Sequence, residues 1–481
     1  MIYFLIFICS IMLPVKVEYV NAHYDIEINE DLYNPKINQD NSIISAEIYT
    51  KKNDLVDDAI QNNDQVILFE NNGESLSSFR LFENIYEVWG EYVFENYNFS
   101  YADWSKDDPK LFYAIQTGVD PIFYYLKLDT LETEFNLNQA KLRDTDDDDD
   151  PGIKSMGDDG WGDFDYEPKS FYQHKILYDE EQEFEFNYVL FRESSESKIL
   201  TNHPSIEDND GLILKEKSLT SQKSYCITSA SCPISNLKTD LIEFDVIKNG
   251  TKLDFVYQIR NDEYQSSILL QRGCFGESEF IPIISKDSKI SKSQINPTFN
   301  FSGNKISFLS RQNSDNSYLY DLYVVDLPIK ENEDVGDCYD FKDDIQNGYN
   351  LKYRLIDTNL MDEDFYDSGE RSNFTSHCWH PKKNILFYIK SEKNDSGTRS
   401  ESIYYYNLEN GQSGKLDIPT KNNKYIDISE DGQYLLFSFT GLSDSAIKNK
   451  FQFNNSKSLK NSEVLKDFGN SKIGVAKLIY D

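Results

Sequence analysis

Apolar and polar positions in this chain alternate over short distances, and groups of turn-forming residues interrupt the alternation. In Ile428–Phe437, "ISEDGQYLLF", the Asp431-Gly432 pair tolerates positive backbone torsions and predicts a tight turn. Leu435-Leu436-Phe437 then predicts a short buried strand. The stretch supplies a ten-residue template: an apolar or aromatic residue, four turn formers, two further positions and an apolar triplet, usually ending in an aromatic residue. It recurs as "IQNNDQVILF" from Ile60, "WSKDDPKLFY" from Trp104, "VIKNGTKLDF" from Val246, "FNFSGNKISF" from Phe299 and, one residue shorter, "WHPKKNILF" from Trp379. A second aromatic strand follows several copies, as in "PIFYYLKLDT" from Pro121, "YLYDLYVVDL" from Tyr318 and "SIYYYNLENG" from Ser402.

A small antiparallel sheet cannot bury both of its faces alone, so an internal repeat of such units predicts radial packing in an all-β propeller. The starts at 60, 104, 246, 299, 379 and 428 are 44, 142, 53, 80 and 49 residues apart. The wide gaps predict acidic insertions at about 138–168 and 331–370, with a degenerate unit near Glu185 or Pro204. The expected count is about seven blades, within a range of six to eight. The tail "SKIGVAKLIYD" reads as a final strand closing the ring with an N-terminal one such as "IISAEIYT" from Ile43, which removes exposed sheet edges.

The copies resemble the WD40-like repeat of TolB-type propellers: a Trp or Phe, Ser-Pro-Asp-Gly-Lys, an Ile-Ala-Phe-like strand, then "LYVVDL" and a Thr-Gly turn. Phe299–Leu327 and Ile428–Phe437 match it best, and the resemblance spans roughly residues 45–481. It implies the fold but not a TolB activity. Only two copies keep Asn-Gly or Asp-Gly at the matching turn, and no segment resembling the extra N-terminal domain of bacterial TolB precedes the repeats. The dipeptidyl-peptidase family joins a related propeller to a serine-hydrolase domain; with the chain ending in the repeats, an enzyme of that kind is disfavoured.

Composition narrows the class. Aromatic residues make up 14% of the 481, with 33 Tyr and 31 Phe, which suits half-buried strands. The net charge of −35 excludes general nucleic-acid binding and adhesion to anionic lipid, and favours solubility and a cationic or basic partner. "MIYFLIFICSIMLPVKVEYVNA" has an apolar run, Ile2–Pro14, too short to span a bilayer, with a small residue at Ala22, though it lacks a positive n-region. It reads as a signal peptide over residues 1–22, against a buried first strand or a membrane anchor, followed by an N-terminal segment 23–44 and the propeller 45–481. With no second long apolar run and no hydrophobic C-terminal tail, no stable membrane anchor is expected, and the protein is placed outside the cell or in the secretory lumen.

Export makes the cysteines and sequons relevant. Loss of the leader removes Cys9 and leaves an odd five, of which Cys226 and Cys232, in "CITSASC", are the best disulfide pair. N-x-S/T sequons stand at Asn98, Asn249, Asn300, Asn373, Asn394 and Asn454.

Catalytic signatures are missing: there is no G-x-S-x-G, H-E-x-x-H, G-x-x-x-x-G-K-[ST] or G-x-G-x-x-G. Two constellations remain. "HCWH", His377–His380, would put Cys378 and His380 on one face of a strand, a metal pair that needs a distant third ligand; inner-strand packing is the competing reading. The tract Arg143–Pro168 fails as an EF-hand, because Pro151 and Gly157 occupy the positions that require Gly and Glu. It reads as a solvated loop, in which Trp161, Phe164 and Tyr166 offer apolar anchors for docking or the carboxylates take up a cation such as calcium. The expectation is a binding scaffold for a protein partner, with no cofactor. The alternative is a hydrolase or lyase using carboxylates or a metal in the central channel.

Overall fold

The computed structural model describes residues 15–22, 30–50, 65–71, 76–80, 103–105, 110–117, 120–127, 170–179, 184–193, 196–201, 213–214, 222–226, 239–249, 252–261, 266–273, 281–283, 290, 293–312, 319–327, 351–360, 376–393, 399–443 and 470–480. They form strands and turns without helices. The first strand is β1 (Val15–Ala22). A four-stranded sheet follows in the order β2 (Glu30–Ile37), β3 (Ile43–Thr50), β4 (Gln65–Asn71), β5 (Leu76–Arg80). Next are a three-stranded sheet, β6 (Asp103–Trp104), β7 (Lys110–Thr117), β8 (Asp120–Lys127), and a five-stranded one built from β9 (Ser170–Asp179), β10 (Phe184–Glu193), β11 (Glu196–Thr201), β12 (Ile213–Leu214) and β13 (Gln222–Cys226).

Three more four-stranded sheets run in sequence order. They are β14 (Thr239–Asn249) to β17 (Ile281–Pro282), with β15 (Lys252–Asn261) and β16 (Ser266–Gly273) between; β18 (Gln294–Phe299), β19 (Lys305–Arg311), β20 (Tyr320–Asp326), β21 (Lys352–Asp357); and β22 (His377–Trp379), β23 (Ile385–Lys393), β24 (Arg399–Asn407), β25 (Ser413–Lys415). β26 (Thr420–Lys421) pairs separately with β29 (Gly441–Leu442). The last sheet has the order β1-β30-β28-β27, from β27 (Lys424–Ile428), β28 (Tyr434–Phe439) and β30 (Lys472–Tyr480).

These sheets form the ring of a β-propeller. Each inner strand contacts the next, in the order β2, β6, β9, β14, β18, β22, β27 and back to β2. Apolar triplets fill the spaces between sheets: Leu386 and Phe387 in β23, and Leu435, Leu436 and Phe437 in β28, are fully buried. Each such side chain contributes about 2 kcal/mol relative to exposure.

The turn between the first two strands of a sheet repeats in detail. Asn300 N–H donates to Lys305 O (3.0 Å) and Gly303 N–H to Asn300 O (3.0 Å); Ser429 N–H donates to Tyr434 O and Gly432 N–H to Ser429 O, both 2.8 Å. Gly303 and Gly432 hold φ of +67° and +78°, which explains the glycine of the template. Asn38 N–H donates to Ile43 O (2.9 Å) and Asn41 N–H to Asn38 O (3.0 Å), with Asn41 at φ 62°. "INQDNSIISA", from Ile37, is therefore a copy of the template. The template misses it because Asn stands in the place of Gly, and Asn is the residue that best substitutes for Gly there.

Several expectations change. Ile67-Leu68-Phe69 belongs to β4, the third strand of its sheet, so the copy read at Ile60 is out of phase. The described residues give five four-stranded blades rather than the expected seven, since one further sheet has five strands and another three. β30 closes not with Ile43–Thr50 but with β1, which lies inside the span read as leader. β2 and the start of β3 lie in the span read as an N-terminal segment before the propeller. In the expected insertion 331–370, residues 352–357 are the outer strand β21, hidden from a search for apolar strands by the exposure of Lys352, Arg354 and Leu355. Outer strands carry charge because their free edge faces water.

Candidate functional site

Three of the inner strands share a distortion. Pairing slips between Tyr33 and Lys36 in β2, between Ile295 and Thr298 in β18, and between Lys424 and Asp427 in β27. Inside each slip lies a residue with positive φ: Asn34 (46°), Asn296 (53°) and Tyr425 (49°). A bulge of this type bends the strand and re-aims the side chains beyond it. Pro35 and Pro297 come directly after the two Asn residues, and proline, lacking an N–H, loses nothing where the ladder is broken. The Asn296 bulge is braced from two sides. Its N–H donates to Gln258 Oε1 (2.9 Å) and its Nδ2 to Ser376 Oγ (3.3 Å).

Five of the inner strands share one register, while in β14 Val246 opposes Phe255 across a tighter turn. Ile37 opposes Ile44, Trp104 opposes Leu111, Phe299 opposes Ile306, Trp379 opposes Leu386 and Ile428 opposes Leu435. The residue just before each falls at one repeat position: Lys36, Asp103, Thr298, Cys378 and Asp427. Asp245 precedes Val246, the start of another copy, and Lys175 on β9 ion-pairs with it at 3.5 Å. Lys36 Nζ meets Asp427 Oδ2 at 2.8 Å, joining β2 to β27, with side chains 24% and 26% exposed. This level of the ring therefore holds three carboxylates, two ammonium groups, a thiol and a hydroxyl, contributed by successive sheets.

The groups perturb one another. Burial would lower the Lys36 ammonium, but the Asp427 carboxylate, with Asp103 behind it, outweighs this and raises it above its ordinary value. Burial raises the Cys378 thiol well above its usual range, the Asp427 carboxylate adds to this, and Lys36 and Lys175 offset only part. Cys378 is thus a buried thiol and not a nucleophilic thiolate. Glu243, two residues before Asp245, is pushed up to about 8 by burial; the Lys175 ammonium opposes and the Asp245 carboxylate reinforces the shift. Its Oε2 is enclosed and has no hydrogen-bond partner among the described residues. Burial thus favours the protonated form of Glu243, and a protonated carboxyl can donate a hydrogen bond or a proton.

The predicted site residues fare differently. His377, Cys378, Trp379 and His380 are all buried at the inner strand β22 and the turn after it. Among the described residues no group of three or more His, Cys, Asp and Glu is placed to hold a metal ion. Cys378 belongs to the charged ring instead. His380 occupies the repeat position of Asn300 and Ser429, where its Nδ1 accepts from Lys382 N–H (3.0 Å) and its ring meets Tyr480 edge-on with centroids 4.9 Å apart. Burial, then Lys383 and Lys382, lower it to about 4.

Asn300 is 1% exposed, and its amide is used up within the turn and against the next sheet, donating to Ser302, Asn304 and Asn384 and accepting from Lys305 N–H. It is not an exposed acceptor in the folded chain, because the repeat uses this Asn to close its turn. Asn249 ends β14. Asn98, Asn373, Asn394, Asn454, Cys232 and the docking residues Trp161, Phe164 and Tyr166 lie outside the described residues, while Cys226 ends β13.

The ring residues were missed because the template begins one position too late. Read one residue earlier, the copies start Lys-Ile, Asp-Trp, Asp-Val, Thr-Phe, Cys-Trp and Asp-Ile. A polar residue between two apolar ones on an inner strand is the signal that could have found them, except at Cys378, which follows His377.

No family model and no curated protein matches the chain. Among solved structures it is similar to an oligogalacturonate lyase from Vibrio parahaemolyticus (8% identity, 96% of this chain and 98% of that one, TM-score 0.45). It is also similar to TolB from Acinetobacter baumannii (9%, 80% and 63%, TM-score 0.34) and to the tricorn protease (10%, 85% and 28%, TM-score 0.29). The chain spans about a quarter of the tricorn protease's length. At these values the likenesses carry no argument about activity, and the fold rests on the strand pairing.

Proposed function

We propose that the protein is an exported seven-bladed propeller that binds a polar segment of a protein partner at the opening of its ring. Seven inner strands contact one another in a closed circuit, which supports counting the three-stranded and five-stranded sheets as blades. One observation carries the binding reading: acidic and basic side chains from separate blades meet, with Lys36, Asp103, Asp245 and Asp427 each just before the start of a copy, Lys36 paired with Asp427 and Lys175 on β9 paired with Asp245. A ligand with both cationic and anionic groups can exchange ion pairs with such a ring and so offset the desolvation of its charges, whereas a hydrophobic ligand would strand the ring's charges. The net charge of −35 favours partners with a basic surface over nucleic acid, and the loop 143–168 offers such a partner a second contact.

The test is a thermal-shift screen with free amino acids and charged dipeptides. The reading expects a class of dipeptides that stabilises the protein, with the shift abolished by Lys36→Met combined with Asp103→Asn. Hits that persist in that variant, or none among both charge types, count against it. A second reading rests on Glu243, whose proton is held up to about pH 8 next to Lys175. A carboxyl kept protonated serves as a general acid for a substrate that reaches it. Turnover of any hit, lost on Glu243→Gln while binding is kept, would favour the enzyme.

A further inference from the structure

We infer that Val15–Ala22 remains in the mature protein as the outer strand of the closing sheet, so that any leader is cut before Val15. The inference rests on the export reading only for the existence of a leader. β1 pairs antiparallel with β30 along its whole length, from Val15 opposite Tyr480 to Ala22 opposite Gly474. It has the alternation of a sheet strand and not the uniform apolarity of a leader. Val15, Val17 and Val20 pack on a core cluster that spans several sheets, while Lys16 and Glu18 face water. The break in alternation between Val17 and Val20 coincides with a slip in pairing between Val17 and Tyr19, which keeps both valines on the inner face.

Side chains fasten the strand as well. Lys477 Nζ meets Glu18 Oε2 at 3.0 Å and stands over the Tyr19 ring at 5.6 Å. Without β1, β30 would become a bare edge, with an unpaired ladder and an uncovered apolar face. Cleavage by a signal peptidase adds one water across one peptide bond and needs that bond in an extended, accessible segment. Ala22 satisfies the small-residue preference in sequence, but a cut there removes the strand that closes the ring. Any bond that is cut therefore precedes Val15.

The experiment is to express the full chain in secreting cells and determine the N-terminus of the folded product by mass spectrometry. It is paired with melting of a full-length variant carrying Val17→Asp and Val20→Asp. The expected N-terminus is Val15 or earlier, including Met1 if no leader is removed. The variant is expected to melt lower by several degrees, on the order of 5 °C, since each change puts a charge against the core. A folded product beginning at His23, or a variant that melts as the parent does, would overturn the inference. Retention inside the cell would refute export while leaving the strand to be judged by the melting comparison.

Discussion

At the scale of single residues, Gly432 is held tightly by what surrounds it. A Cβ built there would lie 2.4 Å from His380 Nε2, and the backbone already has φ +78°. Gly432→Ala must therefore bear strain in the turn and displace a buried imidazole. A loss of roughly 2–3 kcal/mol by urea unfolding is expected, where a surface Gly→Ala change would be close to neutral. The histidines give a pH signature. Burial lowers His377 to about 4, and burial with the neighbouring lysines lowers His380 to about 4, both from 6.5. A histidine depressed in the folded state contributes stability above its unfolded value, and this is lost as pH falls from 6.5 towards 4, at up to roughly 3 kcal/mol per group.

Glu243 has the opposite sign. Its folded value of about 8 lies above the ordinary 4.5, so the stability tied to its proton is complete below pH 4.5 and drains away as pH rises through 8. Glu243→Gln is expected to raise stability at pH 8 by about 1 kcal/mol or more and to do little at pH 4.5. Equal effects at the two values would show that the carboxyl is ionised in the fold. His377→Gln should flatten the acid limb between pH 6.5 and 4 and leave the alkaline limb alone.

At the scale of elements, adjoining blades are tied by a bond that recurs. Trp379 Nε1–H donates to Ser307 Oγ at 2.8 Å, and Trp104 Nε1–H donates to Ser45 Oγ at 3.0 Å. In each case the Trp is the first residue of a copy, and the Ser lies in the second strand of the preceding blade. Trp379→Phe keeps most of the apolar contact but leaves the buried Ser307 hydroxyl short of a donor, at an expected cost of roughly 1–3 kcal/mol by chemical denaturation. Ser307→Ala in the same background should recover part of that loss, because the orphaned oxygen goes with it.

The sequence pattern reached this scale unevenly. Apolar triplets and glycine turns marked β18–β19 and β27–β28 clearly, since hairpin turns and buried strands are local properties. The copy at Ile37 was masked by Asn41 in the glycine's place, and β1 by its resemblance to the end of a leader. β21 was hidden because an outer strand is polar. The charged ring depends on bulges at Asn34, Asn296 and Tyr425, and only the two Asn-Pro pairs leave a trace of them in the sequence.

At the scale of the whole molecule, ring closure brings together residues that sequence distance keeps apart. Asn41 Nδ2 donates to Asp431 Oδ2 at 2.9 Å, Ser471 N–H donates to Asp31 Oδ1 at 2.6 Å, and Lys36 pairs with Asp427. Such contacts offset their loop-closure entropy only when the last sheet is complete, so closure is expected to be a late and cooperative step in folding. The net charge of −35 adds a repulsion that salt screens. The melting temperature should therefore rise between low salt and physiological salt, even though exposed pairs such as Lys477–Glu18 weaken under the same screening.

The most direct test of ring closure is a double-mutant cycle on Lys36→Met and Asp427→Asn, read by urea unfolding at pH 7. The two residues meet only if the first and last blades adjoin and the repeat position before each apolar start faces the ring. A coupling of about 1 kcal/mol or more is predicted, with the single variants each costing more than the pair would suggest by addition. Strict additivity would contradict both the closure of the ring and the charged level at its centre.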